Sequence, residues 1–109
     1  MRIAVPASGT PVLEKVVHAH VATAPYFLVL DTETGILEEV ENPKRECRGG
    51  EINPVGVVRD LDVDVLICAG LGRWAIELIE ASGTKVYLAH GGTVECAIED
   101  FKAGRLKHP

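Results

Sequence analysis

Val63-Asp64-Val65-Leu66-Ile67-Cys68-Ala69, followed at once by Gly70-Leu71-Gly72, is the stretch on which the fold turns. The almost continuous apolar run of residues 63–69 reads as a strand buried on both faces, as in the middle of a parallel sheet. The glycines then open a helix whose Ala75, Leu78, Ile79 and Ser82 fall on one face and which Gly83 is placed to stop. Toward the C-terminus the pattern repeats. Residues 85–89, Lys85-Val86-Tyr87-Leu88-Ala89, read as another strand. His90-Gly91-Gly92-Thr93 then leads into a helix with Val94, Ala97, Ile98 and Phe101 aligned, Thr93 as its N-cap and Gly104 at its end.

Upstream, the spacing of Val55, Val58 and Leu61 after Pro54 predicts a further amphipathic helix. Before it, residues 41–50 are charged and punctuated by Pro43, Gly49 and Gly50, which predicts a surface loop with Cys47 near its tip. Residues 26–30 and 36–40 flank Asp31-Thr32-Glu33-Thr34-Gly35, a strand–turn–strand hairpin. Residues 2–7 form a first buried strand closed by Ser8-Gly9-Thr10-Pro11. Strands alternating with helices in the second half require right-handed crossovers and a parallel sheet, to which the hairpin adds an antiparallel pair. The expected architecture is a mixed α/β sandwich with about five strands, and the tail 106–109 is short enough to fray.

The 109 residues make one domain, 1–109, with no internal repeat. At 47% hydrophobic and 25% charged, the chain is too apolar to be disordered. Eleven Lys+Arg against sixteen Asp+Glu leave a net charge of −5, which removes the electrostatic term that dominates nucleic-acid affinity. No apolar run approaches the ~18 residues of a membrane span, and Met1-Arg2-Ile3-Ala4-Val5-Pro6 lacks a signal-peptide profile, so a cytoplasmic protein is expected. Cys47, Cys68 and Cys96 fit neither a disulfide framework nor a paired zinc motif.

In an open α/β sheet, ligands collect beyond the carboxyl ends of the strands, where helix N-termini also point unpaired N–H groups. That edge is expected to carry residues 6–8, 70–73 and 90–93. Gly70, Gly72, Gly91 and Gly92 allow close approach of a bound group, and two helix starts favour an anion. The same glycines also suit tight strand-to-helix turns, and neither loop is a nucleotide-binding fingerprint. His18 and His20 fit either solvated loop residues or a metal pair. His90, at a strand end before Gly91-Gly92, faces the same edge. Cys47, flanked by Lys44, Arg45 and Arg48, has cations that favour a thiolate. Cys68 reads as a small buried hydrophobe, and Cys96 lies off the main apolar face of its helix. No serine nucleophile elbow is present, and Asp31, Asp60, Asp62 and Asp64 fall at turns or strand starts, so binding is favoured over catalysis.

Taken together, Ile3-Ala4-Val5-Pro6, His20 with Ala24-Pro25-Tyr26-Phe27, Glu41-Asn42-Pro43, Gly70-x-Gly72, and Val86-Tyr87-Leu88-Ala89 with Gly91-Gly92-Thr93-Val94-Glu95 resemble the dinitrogenase iron-molybdenum cofactor biosynthesis family. The resemblance spans nearly the whole chain. It implies a ribonuclease H-like three-layer sandwich without nuclease activity, and a non-enzymatic role in carrying an iron-molybdenum or related metal-sulfur cluster among cofactor-assembly proteins. Its site would be lined by Gly70, Gly72, Gly91 and Gly92, with Arg48 and Arg73 neutralising charge and His20, His90 and Cys47 as candidate metal ligands. Where the family has His-Phe-Gly-Arg-Ala-Pro-Tyr-Phe, this chain follows His20 with Val21, Ala22 and Thr23. Without that arginine, either Arg48 or Arg73 takes its place or the ligand differs. Two other readings of the residues stand beside this one: a thiol-based sulfur carrier or redox protein centred on Cys47, and a small regulatory module that binds a partner protein.

Overall fold

The computed structural model describes residues 1–9, 17, 24–41, 58, 61–89 and 92–106. Five strands form one sheet: β1 (Arg2–Ala7), β2 (Tyr26–Asp31), β3 (Leu37–Glu41), β4 (Val65–Cys68) and β5 (Lys85–Leu88). Helix α1 (Arg73–Ala81) connects β4 to β5, and α2 (Val94–Lys102) follows β5. The strand order is β3-β2-β1-β4-β5, with β1 at the centre. On one side β1 pairs antiparallel with β2, and β2 with β3, as the hairpin pattern predicts. On the other side β1 runs parallel to β4, and β4 to β5, as the helical connection between β4 and β5 requires.

The apolar side chains divide by strand periodicity into two clusters, one on each face. Ala4, Phe27, Val29, Leu66, Cys68 and Val86 pack with Ala75 and Ile79 of α1 and with Val58. Ile3, Val5, Leu28, Leu30, Val65 and Ile67 pack with Val94, Ala97 and Ile98 of α2 and with Val17. The two helices therefore cover opposite faces. Val58 and Leu61 are helical where the Val55/Val58/Leu61 spacing predicts a helix; the rest of that segment lies outside the described residues.

The differences from expectation are local. The apolar run ends up as a strand only over Val65–Cys68, because Asp64 and Val63 serve as its entry. The Asp64 N–H donates to the Arg2 carbonyl at 2.9 Å, the Lys85 N–H donates to the Asp64 carbonyl at 2.9 Å, and the Asp64 carboxylate accepts from the Arg2 N–H at 2.9 Å. Val63 is buried, and its carbonyl accepts from the buried Thr84 hydroxyl at 2.8 Å. Helix α1 buries Ala75 and Ile79, but Leu78 and Ser82 are exposed, which corrects the expected face. The helix is rolled so that Ile76, rather than Leu78, packs partly buried against that cluster. Helix α2 follows expectation: Val94, Ala97 and Ile98 are buried, Phe101 packs edge-on against Tyr87 with ring centroids 5.0 Å apart, and the Thr93 hydroxyl accepts from the Cys96 N–H at 3.2 Å. Among the described residues no helix is long and apolar enough to cross a membrane.

Candidate functional site

Because β1, β4 and β5 are parallel neighbours, their carboxyl ends lie along one rim of the sheet. Ser8, Gly70 to Gly72 and Gly92 to Thr93 follow those strands, and both described helices begin there. The two glycine corners thus share an edge, although they serve helices on opposite faces.

The corners differ chemically. Helix α1 begins at Gly72, an extended N-cap (φ −62°, ψ 144°) with no side-chain cap and no acidic residue in its first turn. The first N–H groups of a helix have no intrahelical acceptor, so this end is left with donors and a partial positive charge. A methyl group placed on Gly70 or Gly72 would meet no atom of the described residues within 4 Å, and neither residue has the positive φ that demands glycine. Neither backbone conformation nor crowding explains why these positions lack side chains. Arg73, the first residue of α1, extends a side chain that is 94% exposed and lies 3.6 Å from Glu77 in an i,i+4 ion pair.

Helix α2 begins differently. Thr93 already accepts from the Cys96 N–H, and Glu95 supplies a carboxylate to the first turn. That end is capped and charge-compensated, so it attracts an anion less than the α1 end does. Gly92 has φ +84°, a left-handed turn that favours glycine without any ligand. Its carbonyl accepts from the Val17 N–H at 3.0 Å, and Val17 also bridges Ala7 at the end of β1. The buried Val17 therefore closes the α2 side of the rim, and no described residue makes a comparable backbone bond over the α1 side.

Cys68 lies just below the Gly70–Gly72 corner. Burial pushes its thiol up to about 11, while a hydrogen bond from the backbone of Gly70 acts in the opposite direction. Its Sγ lies 3.9 Å from the Tyr87 carbonyl. A sulfur held as a neutral thiol packs as a small hydrophobe, as the sequence suggests, and is a poor nucleophile or ligand at neutral pH. Cys96 is exposed.

Of the residues the sequence singles out, Gly70, Gly72, Arg73 and Gly92 are placed on this rim. His20, Cys47, Arg48, His90 and Gly91 lie outside the described residues. Among the described residues no group of three or more His, Cys, Asp or Glu side chains could hold a metal ion. Asp62 and Asp64 stand at the amino end of β4, away from the rim. The sequence reading overlooked Trp74, which is 65% exposed beside Arg73. Its position two residues past a glycine N-cap was the available signal. It also gave no role to Val17, whose partners are distant in the chain and leave no local pattern.

The profile of the dinitrogenase iron-molybdenum cofactor family matches residues 1–104. The chain belongs to this family. No curated protein matches it. Among solved structures, it is similar to a Thermotoga protein with a NifB designation, solved by NMR. That likeness is 39% identical with a TM-score of 0.78, covering 98% of this chain and 91% of the other. It is also similar to the apo form of the orange protein from Desulfovibrio gigas, at 32% identity and a TM-score of 0.82, covering 99% and 92% of the two chains.

Proposed function

We propose that this protein binds and carries an anionic metal-sulfur cluster, of the iron-molybdenum or a related kind, during cofactor assembly, and that it is not itself an enzyme. The observation that carries this reading is the corner at Gly70–Arg73. A helix start with no side-chain cap, two glycines that no described residue crowds and an exposed arginine stand together on the rim of a chain in the iron-molybdenum cofactor family. A thiometalate is a bulky, diffuse anion, and backbone N–H groups, a helix N-terminus and a guanidinium suit its sulfur surface without requiring a covalent ligand. We assign the fold to the ribonuclease H-like three-layer class, which the strand order and the helices on opposite faces support.

Within this reading, Gly70, Gly72 and Arg73 form the principal contact. Gly91, Gly92 and Arg48 are the further candidate cluster-binding residues. His20, His90 and Cys47 remain the candidate direct ligands. The test is anaerobic reconstitution with thiomolybdate or iron sulfide, followed by visible absorption, metal analysis and quenching of the single tryptophan. Stoichiometric metal that is retained through gel filtration in the wild type and lost in Gly72→Asp supports the reading. An Asp at the N-cap satisfies the helix donors from within and places a carboxylate in the anion's berth. Equal metal uptake by both chains, or none by the wild type, refutes it.

A further inference from the structure

At the amino end of β1, strands β1, β2 and β3 border a cavity of about 280 Å³. Arg2 of β1 stands directly opposite Asp31 of β2, whose N–H donates to the Ile36 carbonyl, and Glu38 of β3 stands opposite Val29. Side chains alternate along a strand, so Arg2 shares a face with Ala4, Asp31 with Val29, and Ile36 with Glu38. That face is the one on which Ala4 and Val29 pack against α1. Arg2, Asp31, Glu38, Val29 and Ile36 line the cavity, and Thr34 of the hairpin turn completes it.

The charged groups around it do not neutralise one another by contact. Opposite charges directly across an antiparallel pair commonly meet. Here the half-buried Arg2 side chain has no hydrogen bond or ion pair among the described residues, since its bond to Asp64 comes from the backbone N–H. Asp31 instead accepts from the Glu33 N–H at 2.9 Å, and Glu38 has no ion pair among the described residues. The Thr34 hydroxyl accepts from the Ile36 N–H at 3.3 Å and keeps its own O–H to donate. A guanidinium and two carboxylates are thus left facing one space. A simple anion drawn to Arg2 meets Asp31 and Glu38, and a simple cation drawn to those carboxylates meets Arg2. A molecule that carries both charges on neighbouring atoms escapes both penalties. Val29, 3% exposed, and Ile36, 57% exposed, add apolar wall. The volume falls just below the roughly 300–1,000 Å³ of sites for drug-sized ligands, so the occupant is small.

We propose that this cavity binds a free α-amino acid with an apolar side chain. Its carboxylate pairs with the Arg2 guanidinium and accepts from the Thr34 hydroxyl, its ammonium lies between Asp31 and Glu38, and its side chain rests on Val29 and Ile36. The site stands at the opposite end of the parallel strands from the Gly70–Arg73 corner and does not depend on the cargo reading.

The probes are L-leucine, L-valine and L-methionine, titrated at millimolar concentrations into the full nitrogen-15-labelled chain and followed by NMR. Isocaproate, which lacks the ammonium, and leucinamide, which lacks the carboxylate, are the controls. Saturable shifts are expected at Arg2, Asp31, Thr34, Ile36 and Glu38, with leucine binding at least about tenfold tighter than either control. Arg2→Gln and Glu38→Gln should each weaken leucine binding about tenfold by removing one charge-assisted contact. Both variants should keep the wild-type circular dichroism spectrum, because Arg2 bonds to Asp64 through its backbone and Glu38 is exposed. Should Arg2→Gln fail to fold, Glu38→Gln carries the test alone. Metal uptake by Glu38→Gln should match the wild type, which separates this site from the cargo corner. No saturable shift with any of the three amino acids, equal binding of leucine and either control, or wild-type leucine binding by Glu38→Gln overturns the proposal.

Discussion

Gly72 and Gly92 illustrate two reasons for a glycine. At Gly92 the backbone requires it: φ is +84°, and a Cβ there costs on the order of 1 kcal/mol. At Gly72, with φ −62°, the backbone admits any residue and no described residue crowds a Cβ. Gly92→Ala is therefore expected to lower the stability measured by urea denaturation by about 1 kcal/mol. Gly72→Ala, with no φ strain to impose, should cost only the difference between glycine and alanine as an N-cap, about 0.5–1 kcal/mol. Cys68 gives a prediction in pH. Its thiol titrates near 11 in the folded chain against 9.0 in the unfolded one, so the folded state holds the proton more tightly. The resulting stabilisation is fully present below pH 9 and is lost as the pH rises through about 11. Stability should fall by roughly 1.4 kcal/mol per pH unit across that window, and Cys68→Ala should flatten the slope while lowering stability at neutral pH. A thiol reagent at neutral pH should modify the exposed Cys96 long before Cys68.

At the scale of elements, the two described helices show how much their first turns differ. Thr93 closes α2 by accepting from the Cys96 N–H, and Glu95 stands in its first turn. Removing the hydroxyl in Thr93→Ala should cost about 1 kcal/mol, read as a lower midpoint in thermal unfolding followed by circular dichroism. No equivalent loss is available at α1, whose cap is already a glycine. Helix existence and the strand alternation were legible from the periodicity of apolar residues. The inner face of α1 was not. Ala75, Leu78, Ile79 and Ser82 share a side on a helical wheel, yet only Ala75 and Ile79 reach the core. How far a helix rolls on a sheet is set by the shape of the opposing surface, here Leu66, Cys68 and Val86, and not by its own sequence.

Across the whole molecule, Asp64 joins the three parallel strands at the edge opposite the rim. Its N–H and carboxylate bond to Arg2 of β1, and its carbonyl accepts from Lys85 at the start of β5. Asp64→Ala removes the side-chain bond and keeps the backbone ones. It should lower global stability by about 0.5–1.5 kcal/mol, with the loss appearing in hydrogen exchange of β1 and β4 together. β1, β2 and β4 are each paired on both sides, so their amides should exchange more slowly than those of the edge strands β3 and β5.

What the sequence by itself determined is the set of elements, their alternation and the family, because local periodicity, turn residues and caps act within a few positions of the chain. The Arg2–Ala7, Val65–Cys68 and Lys85–Leu88 strands, the hairpin and the glycine corners were all visible in that way. Only the tertiary structure decided that those corners are unequal: Val17 arrives from a distant part of the chain to close one side, and Gly72 is left uncapped on the other. That inequality depends on which residues meet across the sheet, and contacts between segments far apart in sequence leave no mark in the spacing of residues along it.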